Sequence, residues 1–221
     1  MSVPNHSVIP ITKDDIPTIG VFLQNSKLQL AINRFLFKDW PNSQAQRAHY
    51  TSVIEGALSN PQTTCLKVIN DISKQPIAHL FYTRHTLSRA KQCQPTTEEK
   101  VEGMNIEVPA GFAPGVYRAV KKAAKELEPE FDNDEYIDLT HLYVDPGSRG
   151  QGIGSWLLRI AQEAAATAQL PFSVCVEPTH RGFFANRGFQ DVKNVDIDLR
   201  EWAAPLSGYG VFRISRMAPL E

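Results

Sequence analysis

Apolar and polar positions along this chain switch between a period of two and a period near 3.6, and the switches lay out interleaved strands and helices. Val8 to Thr12 reads as a short strand. Thr12-Lys-Asp-Asp-Ile then carries helix-start chemistry for an amphipathic pattern from about Asp14 to Leu30. A second helical pattern, about Ser43 to Ser59, follows a Trp40-Pro41 break. Thr64 to Asn70 and Pro76 to Thr83 form a strand pair around the turn-rich Asp71 to Gln75. Tyr136 to Val144 is a strand, about Gly152 to Ala168 a helix, and Pro171 to Glu177 a buried-type strand. A short helix from about His180 to Asn186 ends at Arg187-Gly188-Phe189, with the glycine at its C-terminal cap. Val192 to Leu199 and Gly208 to Arg216 complete the strands, read as antiparallel. No internal repeat is visible.

Between His85 and Asp134 the pattern weakens. Lys, Gln, Glu, Thr and Pro are enriched, and only Val116 to Leu127 keeps a helical period. The chain therefore reads as one domain, residues 1–221, with an insertion at about 85–134 between its third and fourth strands. A lid, a loop and an acceptor-recognition element all suit that segment.

The densest signal is the passage from the strand ending at Val144 into the helix after Gly152. Gly150, Gly152 and Gly154 recur at every second position, letting the backbone approach an anion closely. The following helix aims its free N–H groups and positive dipole end at that anion. A dinucleotide fingerprint fits poorly, because Ser155 stands where its third glycine belongs. A P-loop fits poorly because no lysine follows.

The spacing Arg149-x-x-Gly152-x-Gly154, preceded by Val144-x-Pro146 and followed by Leu157-Leu158, resembles motif A of the GNAT superfamily of acyl-CoA N-acyltransferases. Gly188-Phe189 is similar to the family's motif B. The placing of Trp40-Pro41 and Leu170-Pro171 resembles a group of small fungal GNAT proteins. The resemblance spans the chain apart from the insertion. It implies an α/β (α+β) fold, with a mixed, mostly antiparallel sheet of about seven strands, splayed between strands 4 and 5 and covered by helices on both faces. It implies acetyl-CoA, or coenzyme A, as cosubstrate. The diphosphate would be held by Arg149, Gly150, Gln151, Gly152, Ile153, Gly154 and Ser155, and the pantetheine and oxyanion by main-chain groups of Leu142, Tyr143 and Val144. Asn186 would contact the donor from the short helix, and His180 and Arg181 stand where they could reach a 3′-phosphate.

Charge and cysteine content narrow the partners. With 23 basic and 24 acidic residues the net charge is −1, so no global field draws the chain to nucleic acid and no basic tract suggests a membrane surface. The start lacks the charged-then-apolar order of a signal peptide, and no apolar run is long enough to span a bilayer. A soluble cytoplasmic protein, with the nucleus left open, is the expectation. The 3 cysteines show no CxxC pairing, which argues against a disulfide framework and against a metal site. Cys65 and Cys175 read as core thiols and Cys93 as exposed. Monomer and homodimer remain equally open.

Acyl transfer to an amine needs a base for the acceptor, a donor for the oxyanion and a proton for the departing thiolate. Strict alternation puts Asp138, Thr140 and Leu142 on one face of the fourth strand and Leu139, His141 and Tyr143 on the other. Several GNAT enzymes carry a base eleven positions before the first residue of the R-x-x-G-x-G motif, which lands on Asp138. Glu177, at the end of the fifth strand, is the second catalytic candidate; His141 has the better-suited intrinsic pKa but falls on the other face, so it reads first as a core or supporting hydrogen-bond partner, with the role of base left open. The motif B tyrosine that commonly protonates the sulfur is Phe184 here, so water or a hydroxyl such as Tyr143, Tyr209 or Ser173 must substitute. Two functions follow: an acetyl-CoA-dependent N-acetyltransferase acting on a primary amine of a small molecule or peptide, or a catalytically weak acyl-CoA-binding module that senses or scaffolds.

Overall fold

The computed structural model describes residues 3–86, 107–129, 131 and 135–220. Seven strands form one sheet in the order β1-β2-β3-β4-β5-β7-β6. They are β1 (His6–Pro10), β2 (Thr63–Asn70), β3 (Pro76–His85), β4 (Tyr136–Val144), β5 (Phe172–Val176), β6 (Phe189–Asp198) and β7 (Val211–Pro219). The pair β4·β5 is parallel and every other pair antiparallel.

The helices follow local signals. The capping box read from Thr12 is present, the Asp15 carboxylate accepting from the Thr12 amide at 2.7 Å and from its hydroxyl at 2.9 Å. Helix α1 (Ile16–Lys27) stops three residues short of the pattern's end, where Asn33 Nδ2 donates to the Lys27 carbonyl at 2.6 Å. After a four-residue α2 (Asn33–Leu36) and a cis Trp40–Pro41 peptide, Asn42 caps α3 (Ser43–Ser59) by accepting from Ala45 N at 3.0 Å.

Apolar clusters bind these layers. Helix α5 (Ile153–Ala168) sets Ile153, Leu157, Leu158, Ala161 and Ala165 on one face of the sheet, against Leu80, Leu139 and Val174. Helices α1 and α3 cover the other face through Ile19, Leu23 and Ile54, meeting Phe81 and Tyr143. Burial of this order, at roughly 25 cal/mol per Å² of apolar surface, is what holds the strands in register.

Part of the polar segment behaves differently from its composition. Residues 87–106, 130 and 132–134 lie outside the described residues, as does Cys93, but helix α4 (Pro114–Glu126) is well packed. Val116 and Ala123 are buried against β6 and β7, Leu127 is fully buried beside them in sequence, and Phe112 inserts beside Phe37 with ring centroids 4.7 Å apart. This stretch thus contributes core, which its sparse apolar content concealed. Cys65 is buried and Cys175 half-buried, both as free thiols.

Candidate active site

Two breaks in regular structure make a cleft of about 960 Å³ between β4 and β5. The first is a splay. The parallel pairing joins only Ile137, Asp138 and Leu139 to Phe172, Ser173 and Val174, after which the strands part. Main-chain groups of Leu142, Tyr143 and Val144 that turn toward the gap are left without a partner on β5.

The second break is a bulge. Phe81 pairs with His141 and the next residue, Tyr82, with Leu139, so Thr140 is an extra residue on β4 and donates its hydroxyl to the Phe81 carbonyl at 3.2 Å. The bulge reverses the alternation. Ile137 and Leu139, then Leu142 and Val144, face α5, whereas Asp138, His141 and Tyr143 share the opposite face. The strict-alternation grouping from the sequence is corrected accordingly, and position along the strand decides the rest: His141, beyond the last β4·β5 pair, lines the cleft, whereas Asp138, within the paired part, does not.

Asp138 is instead a structural partner. Its carboxylate is paired with Arg216 Nη1 and accepts from Ser173 Oγ at 3.1 Å, while Arg216 Nε donates to the Leu127 carbonyl at 2.9 Å. Burial pushes the Asp138 carboxyl up and Arg216 pulls it back in part. Both partners converge on its Oδ1.

At the glycine-rich end of the cleft, Asp145 accepts from Gly147 N at 3.1 Å and closes a single 3₁₀ turn, Pro146–Ser148. Gly150 (φ +78°) and Gly152 (φ +84°) then take left-handed conformations, and a Cβ at either would meet nothing within 4 Å. Gly154 serves closeness instead, since a Cβ there would lie 3.3 Å from Phe183 Cε2. The first amide satisfied within the turn of α5 is Trp156 N, which donates to the Gly152 carbonyl at 2.9 Å. The amides of Gly150, Gln151, Gly152, Ile153, Gly154 and Ser155 donate to no described residue. Six unspent donors in series at a helix start fit a diphosphate.

The charges around this cradle differ from the sequence reading. Arg149 folds back, its Nε donating to the Val144 carbonyl at 3.0 Å and its guanidinium 5.9 Å over the Tyr143 ring. Arg187, which the sequence reading passed over, stands at the cradle: Nη2 and Nε donate to Ser155 Oγ at 2.7 and 3.1 Å, and the guanidinium lies 3.8 Å over the Phe183 ring. Arg181 is occupied by Asp191, with Nε 3.1 and 3.0 Å from its two oxygens. Asn186, at the end of α6 (Arg181–Ala185), is exposed and outside the cleft lining, as is Gln151.

At the opposite end, Glu177 stands just beyond β5 with its carboxylate bonded to Lys27 Nζ and 3.4 Å from His180 Nδ1. Burial pushes its carboxyl up, but Lys27 and His180 outweigh this and hold it well below the usual carboxylate range. Burial, reinforced by Lys27, pushes the His141 imidazole down to about 4, so it is neutral at pH 7. Behind it, His79 is fully buried against Phe22 and Tyr143 with no partner for either ring nitrogen among the described residues, and burial lowers it to about 3. Of the hydroxyls named as proton donors, Tyr143 lines the cleft; Ser173 is engaged by Arg216 and Asp138, and Tyr209 by Arg34 at 3.1 Å. Phe184 is buried between Phe183 and Phe189 and offers no proton.

Residues 117–191, from α4 through the cradle into β6, match the family model of the acetyltransferase (GNAT) domain. Among solved structures, the chain is similar to a histone acetyltransferase HPA2 and related acetyltransferase from Corynebacterium glutamicum (18% identity, 98% of this chain and 97% of that one, TM-score 0.58). It is also similar to a putative arylalkylamine N-acetyltransferase 7 from the yellow fever mosquito Aedes aegypti (14%, 95% and 86%, TM-score 0.60). A third likeness is to a putative GNAT acetyltransferase from Desulfovibrio desulfuricans (10%, 97% and 98%, TM-score 0.53). No curated protein sequence matches. No helix among the described residues is long and apolar enough to cross a membrane. The seven-stranded sheet with its parallel β4·β5 splay is thus the fold of these solved acetyltransferases, and the stretch from α4 into β6 matches the GNAT acetyltransferase domain.

Proposed function

We propose that the chain transfers an acetyl group from acetyl-CoA to a primary amine of a small molecule or peptide, by direct attack with both substrates in the cleft. The observation that carries this reading is the run of unspent amides from Gly150 to Ser155, opening directly onto the β4·β5 gap.

In this reading the six amides and the Arg187 guanidinium hold the diphosphate, and unpaired main-chain groups of Leu142 to Val144 hold the pantetheine and polarise the thioester carbonyl. Glu177, kept ionised, attracts the acceptor ammonium. His141, neutral and facing the gap, accepts the acceptor's proton, alone or through water. The Tyr143 hydroxyl, whose proton burial retains, supplies the proton that the thiolate gains on leaving. Asp138 acts by fixing β4 to β5 and β7 below the splay, where its pairing with Arg216 and Ser173 keeps the gap from closing or drifting.

Release of free CoA across a panel of primary amines tests the proposal. Turnover with at least one amine, together with saturable acetyl-CoA binding, is expected. Tight acetyl-CoA binding with silence across the panel would instead favour an acyl-CoA-binding module, a reading that the replacement of the motif B tyrosine by Phe184 motivates.

A further inference from the structure

Lys27 is the one lysine among the described residues that lines the cleft. Its main chain is fixed where α1 ends, because Asn33 Nδ2 takes its carbonyl at 2.6 Å and Leu28 N donates to the Gln24 carbonyl at 3.0 Å. From there its side chain crosses to β5. Nζ is bonded to Glu177, and its charge is felt by His141 on β4 and by Cys175 on β5, the two walls of the gap. The side chain keeps 27% of its surface exposed, so it is bridged across the cleft without being sealed in the core. An amine of the chain itself thus stands where an acceptor amine must come.

We propose that Lys27 is a modification site and an acyl acceptor in cis: the chain acetylates its own Lys27 Nζ from acetyl-CoA held in the cleft. This rests on the reading of the cleft as an acyl-CoA site. The Lys27 ammonium releases one proton to solvent by way of the His141 imidazole. The freed lone pair forms a C–N bond to the thioester carbonyl carbon, and the C–S bond breaks with its electron pair going to sulfur. The nitrogen, cationic after the attack, sheds its second proton, and the thiolate gains one. The products are Nε-acetyl-Lys27 and CoA thiol, with one proton released overall and no change of oxidation state. Acetylation removes the positive charge bridging α1 and Glu177 and leaves that carboxylate with His180 Nδ1 beside it, so the modified chain presents an anionic seat to an incoming ammonium. A structural ion pair with no chemical role would leave Lys27 unmodified for as long as the fold persists.

The full-length chain, incubated with acetyl-CoA and no added amine, is followed by intact mass and peptide mapping, with acetyl-CoA binding measured calorimetrically in parallel. A single acetyl group on Lys27 is expected. Its rate should be independent of protein concentration and should exceed that of any exposed lysine by roughly a hundredfold, as intramolecular placement supplies. Lys27→Arg keeps the cation beside Glu177 and the fold, and should bind acetyl-CoA yet take up no label. Binding of acetyl-CoA with Lys27 unmodified, or labelling spread equally over exposed lysines, overturns this inference while sparing the cleft reading. Absence of acetyl-CoA binding overturns both.

Discussion

Replacing Gly152 by alanine separates what the cradle does for the fold from what it does for a ligand. Gly152 sits at φ +84°, ψ −2°, immediately before α5. An L-residue in that region costs about 1–2 kcal/mol in backbone strain. The added methyl meets nothing within 4 Å, so no clash adds to this. For a chain of this length the loss corresponds to a fall in Tm of roughly 2–8 °C. The ligand term is separate. Relaxation of residue 152 out of the left-handed region turns the amides that follow it off their common aim, and one lost charge-assisted hydrogen bond is worth about 1.5–3 kcal/mol. CoA affinity should therefore fall by roughly ten- to a hundredfold, read by calorimetry well below the new Tm. Gly56→Ala is the control: the site is mid-α3, with ordinary backbone angles and open space, so it should gain about 0.5–1 kcal/mol of stability and leave CoA affinity alone. If Gly152→Ala shows the expected drop in Tm but binds CoA as tightly as the native chain, those amides do not hold the diphosphate and the reasoning fails.

Other outcomes follow from the same geometry. His79 and His141 are neutral when folded, with burial holding them at about 3 and about 4, and each takes up a proton on unfolding below about pH 6.5. Stability is thus full above that pH and should fall toward pH 5 by up to about 1.4 kcal/mol per pH unit for each histidine; His79→Leu, which removes two unpartnered nitrogens, should stabilise by about 1 kcal/mol at pH 7 and flatten the slope in denaturant titrations. Asp138→Asn strands Arg216, a side chain 8% exposed, and should cost about 3–5 kcal/mol in urea unfolding; a stable variant with an altered pH–rate profile would return Asp138 to the role of base. Tyr143→Phe should lower kcat by roughly 10²-fold while CoA affinity is retained, and an unchanged kcat would transfer the thiolate's proton to water.

The glycine-rich turn was legible in the sequence because it is local. Glycine at 150, 152 and 154, followed at once by a helix, states both the backbone conformation and the direction of the free amides within six residues. The strand and helix order was legible for the same reason, period by period. What escaped was long-range or irregular. One inserted residue at Thr140 inverts every face assignment N-terminal to it, and no periodicity announces a bulge whose cause is pairing with β3. That single position puts Asp138 and His141 on one face, and the end of the β4·β5 pairing after Leu139, equally silent in the sequence, is what leaves His141 at the cleft and Asp138 outside it. Lys27 and Glu177 meet across 150 residues, so neither residue's neighbours in sequence hint at the other. Arg187 carried a weak signal, a cation just before the Gly188 cap, whose meaning depends on α6 docking beside Ser155. In the segment before β4, the burial of Phe112, Val116 and Leu127 was masked by the polar residues between them.

Backbone ¹⁵N–¹H spectra of the chain titrated with CoA address the central claim most directly. The account predicts saturable shifts concentrated in the amides of Gly150 to Ser155, with smaller changes at Leu142 to Val144, and none across β1, β2 and α3. Binding that leaves those six amides unmoved, or no binding at all, would contradict it.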